Sequence, residues 1–97
     1  MNLHPGFAGE YKKRHDEIWP DLVELLKQAG IKDYSIFIDE ETNSLFGVLK
    51  INDPAMLHDL SNEAIMQRWW RYMSDAMETN PDNSPASIPL KEVFYLA

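Results

Sequence analysis

From Gly6 to Ala29 the apolar residues Phe7, Tyr11, Ile18, Leu22, Leu25, Leu26 and Ala29 recur at intervals of mostly three, four and seven. That is the stripe of a helix lying on a core. Gly30 follows where helices commonly stop. Pro20 interrupts the run without the N–H that the helical ladder requires, which predicts a kink or break near Trp19–Pro20. Beyond it, "YSIFI" alternates and is rich in β-branched and aromatic residues, so Tyr34 to Ile38 reads as a strand. Tyr34, Ile36 and Ile38 fall on one face, and Ser35 and Phe37 on the other. "DEETNS" is a polar turn and "LFGVLKI", Leu45 to Ile51, the returning strand of an antiparallel hairpin.

Asp53–Pro54 is a helix start, with Asp as cap and Pro at the first helical position. Ser61 or Asn62 is expected to cap a longer helix reaching about Glu78. In that helix Ile65, Trp69, Tyr72, Met73 and Ala76 fit one core stripe, while Trp70 aligns with Met66 and Met77 towards another surface. "TNPDNSPASIP" holds three of the six prolines and reads as a loop, and "EVFYLA" as a closing strand. With one strand in front, this order becomes β-α-β-β-α-β, the ferredoxin-like split unit. Only Met1 to Leu3 stand where that strand belongs, so the first strand is expected to be truncated, or the edge completed otherwise. The fold class is α+β, an antiparallel sheet with helices on one face, in one domain spanning residues 1–97.

Composition narrows the function. Sixteen acidic against nine basic residues give a formal charge of −7, which disfavours nucleic acid and anionic membrane surfaces. The basic run "KKR", Lys12 to Arg14, precedes Asp16 and Glu17 and reads as a solvated helix face. Cysteine is absent, so neither a disulfide nor a thiol nucleophile is available. No apolar run approaches the roughly 20 residues that span a bilayer, and the N-terminus lacks the order of a secretory signal. A cytoplasmic protein is the default expectation, and at this length pairing with a second copy is a reasonable prior.

Tyr11 and His15 lie four residues apart, on one helix face. An imidazole titrates near neutrality and can move protons both ways; the plainer alternative is a surface histidine in the charged run "KKRHDE". Trp70 suits either a subunit contact or a ligand wall, and Tyr34 either a core position or a hydroxyl aimed at a ligand. His4 and His58 form no metal-binding spacing with His15, and "GFAGE" follows no strand that would make it a nucleotide loop. Neither a metal nor a cofactor is expected.

Taken together, "EYKKRHDEIWPDL", "DYSIFID", "QRWWRYMSDAM" and "NPDNSP…LKEVFYL" resemble the L-rhamnose mutarotase family from about Glu10 to Leu96. The resemblance implies a homodimeric α/β barrel of ferredoxin-like protomers with a longer opening strand than this chain has. It also implies interconversion of the α and β anomers of L-rhamnose without cofactor. His15 corresponds to the family's proton donor, and Tyr11, Tyr34, Trp69 and Trp70 to its sugar-contacting residues. The acceptor of the anomeric proton stays open among a water held by the tyrosines, the tyrosines themselves and a carboxylate. Two other classes fit the architecture: a small dimeric α/β-barrel monooxygenase, and a non-catalytic sugar-binding module.

Overall fold

A computed structural model describes residues Met1–Ala97. Its elements run α1 (Ala8–Asp16), α2 (Pro20–Gln28), β1 (Ile31–Asp39), β2 (Ser44–Ile51), α3 (Ala55–Leu60) and α4 (Ala64–Met73). Pro20 breaks the first helix outright. Trp19 is extended, at φ −61° and ψ 130°, because the proline ring disfavours helical backbone in the residue before it. Pro20 then occupies the first turn of α2, where its missing N–H costs nothing. Gly30 takes φ +85° just past the helix, a left-handed position open to glycine without strain.

β1 and β2 pair antiparallel, with Ile36 opposite Gly47, Phe37 opposite Phe46 and Ile38 opposite Leu45. Near its start β1 carries a bulge: Lys32 pairs with Lys50 and Ser35 with Val48, so Asp33 and Tyr34 together face Leu49. Asp33 takes φ 49°, as the first residue of such a bulge does when its backbone turns left-handed. The strand therefore starts three residues before the alternation becomes visible. The bulge also lets Ile31 and Tyr34, three positions apart, share the face that Ile36 and Ile38 present to the core.

Met1–His4 lies along the other side of β2. Asn2 bridges Ser44 and Leu3 bridges Met77, both antiparallel, and Leu45 N donates to Met1 O while Glu78 N donates to Asn2 O at 2.9 Å. The lateral order is thus residues 77–78, residues 1–3, β2, β1. This is the order of the ferredoxin-like sheet, with both its first and last strands reduced to bridges. One expectation is corrected here. The edge beside the opening segment is closed by residues 76–78, not by "EVFYLA", which pairs with nothing in this chain. Ile88, Leu90, Val93, Phe94, Tyr95 and Leu96 are each at least 75% exposed. An alternating apolar segment becomes a strand only beside another strand, and this one bridges neither β1 nor β2 nor the segments beside them.

The core gathers Leu3, Leu22, Ile31, Leu45, Leu60, Trp69 and Met73 between the helices and one sheet face. α4 begins later than expected, at Ala64, with Glu63 rather than Ser61 or Asn62 at its cap. The Ser61 hydroxyl instead donates to His58 O at 2.6 Å. The buried stripe of α4 and the turn after it also differs: Met66 and Met77 join Trp69, Met73 and Ala76 inside, and Tyr72 is 45% exposed.

Candidate active site

α1 is polar, with Tyr11 its one buried residue. His15 sits one turn further along the same face, its ring 4.3 Å from that of Tyr11. Its Nδ1 lies 3.0 Å from the main-chain oxygen of Tyr11. A carbonyl oxygen can only accept, so the hydrogen of a neutral imidazole belongs on Nδ1 and the lone pair is left on Nε2. Burial pushes the imidazole below its ordinary range, opposed by the Tyr11 carbonyl and by Asp16. The ring therefore rests neutral.

The aromatic groups of α4 close on the same place. Trp69 meets His15 edge-on at 5.4 Å and 88°, and Trp19, thrown outward by the break before Pro20, meets Trp69 at 5.1 Å and 85°. Such edge-to-face contacts between ring quadrupoles hold angles as well as distances. From the sheet comes Tyr34, aimed inward by the bulge. Its ring lies over Gly47, where a Cβ would stand 3.7 Å from Cε1 and 3.9 Å from the hydroxyl. Although nearly half of Tyr34 is open to solvent, the protein around it pushes its phenol upward. Tyr11, more deeply enclosed and close to Tyr34, is raised well above the ordinary phenol range. Both remain hydroxyl donors at neutral pH.

All five residues singled out from the sequence, Tyr11, His15, Tyr34, Trp69 and Trp70, line one open trough of about 1220 Å³ between the helices and the sheet. The two adjacent tryptophans thus serve one hollow: Trp69 is buried in its floor and Trp70 half-buried on its wall. No three His, Asp or Glu side chains converge as a metal-ligand set.

Arg14 departs from expectation. Lys12 and Lys13 are solvated, but the Arg14 side chain is only 11% exposed. Its Nη1 donates to Tyr72 O at 2.9 Å and to Asp75 Oδ1 at 2.7 Å, its Nη2 to Asp75 Oδ2 at 3.2 Å, and its Nε to Glu10 Oε1 at 3.0 Å. The guanidinium also lies 4.8 Å from the centre of the Tyr72 ring. Hydrogen bonding from Arg14 holds the Asp75 carboxyl below the usual carboxylate range. Only the Glu10 partner stood at a spacing the sequence could reveal; Asp75 lies 61 residues away.

Fold and trough define the class: a ferredoxin-like α+β protein with one neutral imidazole set among aromatic walls, a site suited to moving protons on a small, partly apolar molecule. Residues 1–96 match the family profile described as L-rhamnose mutarotase. An L-rhamnose mutarotase of Mesorhizobium japonicum is 59% identical over the whole chain, which covers 92% of that protein; one of Sinorhizobium fredii is 57% identical, covered to 93%. The crystal structure of an L-rhamnose mutarotase from Formosa agariphila superposes with a TM-score of 0.93 at 52% identity, over all of this chain and 93% of that one. The chain belongs to the L-rhamnose mutarotase family, a family of isomerases. Neither the monooxygenase nor the non-catalytic reading finds support in these likenesses.

Proposed function

We propose that this chain interconverts the α and β anomers of L-rhamnose, with His15 carrying the proton in both directions. The observation that carries the proposal is the placing of the His15 imidazole, anchored through Nδ1 to Tyr11 O at 3.0 Å, in the trough that Tyr11, Tyr34, Trp69 and Trp70 also line.

The lone pair on Nε2 takes the proton of the anomeric hydroxyl. The electron pair left on that oxygen forms the carbonyl, the bond from the anomeric carbon to the ring oxygen breaks, and the departing ring oxygen takes the proton back from Nε2. After the aldehyde turns over, the steps run in reverse on its other face. The two sugar oxygens are bonded to the same carbon, so one nitrogen can serve both, and no proton is gained or lost overall. Tyr11 and Tyr34, held protonated, donate hydrogen bonds to the oxygens on which negative charge develops. The indoles of Trp69 and Trp70 pack the C–H face and methyl of the deoxysugar, which water solvates poorly. Positioned acid–base catalysis of this kind contributes about a hundred- to ten-thousand-fold.

We infer also that the working unit is a homodimer in the cytoplasm, with neither nucleic acid nor membrane as partner. The trough exceeds the roughly 300–1,000 Å³ usual for small-ligand sites, so part of it is left for protein to fill. The exposed apolar residues from Ile88 to Leu96, and Phe37, Phe46 and Val48 on the uncovered face of the hairpin, are the surfaces a second copy would cover. No helix is long and apolar enough to cross a membrane.

Saturation transfer between the two anomeric protons of L-rhamnose tests the reaction. Exchange should be protein-dependent and fall at least about a hundredfold in His15→Ala. Exchange unaltered by that substitution overturns the role of His15, and no protein-dependent exchange at all overturns the function.

A further inference from the structure

We propose that Arg14 is the positioning residue of this site: its guanidinium ties α1 to the C-terminal turn of α4 and so holds the imidazole of His15 against Trp69. The inference rests on the role given to His15 above.

α1 carries both His15 and Tyr11, yet it has little apolar surface with which to hold itself in place. Tyr11 is its only buried residue. Nor is α1 a rigid continuation of α2, because the helix is interrupted at residues 17–19. The polar contacts that join α1 directly to α4 and the turn after it come from Arg14. Its fork grips both oxygens of Asp75, at 2.7 and 3.2 Å, and the Tyr72 carbonyl at 2.9 Å, where the negative end of the α4 dipole also favours a cation. On α1 itself Glu10 braces the guanidinium, and His4 lies close enough to Asp75 to act on its charge.

The same grip reaches the imidazole through a second route. The guanidinium lies 4.8 Å from the centre of the Tyr72 ring, Tyr72 packs on Trp69 at 5.7 Å, and Trp69 on His15 at 5.4 Å. Arg14 is next to His15 in the chain, so a shift of one moves the other. Lysine has the charge but only three donors on a single nitrogen, without the planar fork, and cannot reproduce the four contacts that Arg14 makes.

The test compares wild type with Arg14→Lys and Asp75→Asn, well below their melting temperatures. Anomer exchange gives kcat and KM, and NMR follows the ring protons of His15 through a pH titration. In Arg14→Lys, kcat should fall roughly ten- to a hundredfold, the scale of a small misplacement of a reacting group, with KM changing less, within about threefold, because Trp70 stands outside the route from Arg14 through Tyr72 to Trp69 and keeps its place against the sugar. The His15 resonances should move, and their titration midpoint rise towards that of a free histidine as the ring loses its shelter. Asp75→Asn should move the same readouts in the same direction by less, and it decides the question should Arg14→Lys not fold. A lowered melting temperature with kcat and the His15 titration unchanged overturns the proposal and leaves Arg14 an ordinary structural tie. Absence of exchange in the wild type counts against the function alone; the His15 spectrum still decides the role of Arg14.

Discussion

The imidazole of His15 and the indole of Trp69 stand perpendicular, their centroids 5.4 Å apart, although 54 residues of chain separate them. The contact screens one side of the imidazole from water, while the Tyr11 carbonyl fixes which nitrogen keeps the hydrogen.

A pH profile follows from that pairing. Burial lowers the His15 pKa, so the base form is the one present at and above the ordinary histidine range of about 6.5. As pH falls through the lowered midpoint the ring protonates and can no longer accept from the sugar. The rate constant kcat/KM should be level near neutrality and then drop, approaching tenfold per pH unit below a midpoint under the free-histidine value. Stability should weaken just above that range, as pH falls from the free-histidine value to the lowered midpoint, because there the unfolded chain binds this proton more readily than the folded one. Rates measured against pH, beside an NMR titration of His15, check both; a profile level down to pH 4 removes the imidazole from proton transfer.

The tryptophan pair separates binding from folding. Trp70, half-buried on the trough wall, should when changed to alanine raise KM for L-rhamnose by about tenfold, roughly 1.4 kcal/mol, and leave the melting temperature within a few degrees. Trp69 is 7% exposed, and its loss should cost about 3–5 kcal/mol of stability. Thermal melts and sugar titrations on both variants distinguish the cases. A Trp70→Ala protein that melts far lower but binds rhamnose normally would make that indole an interface residue.

The end of the chain carries the prediction about assembly. Removal of residues 88–97 should convert a dimer into a monomer in sedimentation experiments at micromolar concentration and lower its melting temperature. If the shortened chain sediments as the full one does, the exposed apolar segment is not what joins two copies.

Periodicity delivered the helices, the hairpin and the break at Pro20, because each depends on neighbours within a few positions. It failed where a partner lies far along the chain. "EVFYLA" has the alternation of a strand, but alternation does not say which edge receives it. The segment that closes the sheet, residues 76–78, is too short to show any. Arg14 looked like one cation of a solvated run, since nothing local announces Asp75. A strict stripe puts Met66 and Met77 on a separate surface because it is narrower than the arc that α4 and its following turn bury. The convergence of Tyr11, His15, Tyr34, Trp69 and Trp70 was legible only through resemblance, as no spacing rule connects a helix near the start of the chain to a strand and a second helix.

Where Asp33 and Tyr34 together oppose Leu49, the strand has one residue to spare. Elsewhere in β1, gain or loss of a single codon would turn every later side chain to the opposite face. Here it would not: excision of Asp33 leaves Ile31, Tyr34, Ile36 and Ile38 in plain alternation on one side. The inward aim of the Tyr34 phenol is thus tolerant of a small deletion at this point, and natural length variation in the strand should concentrate there.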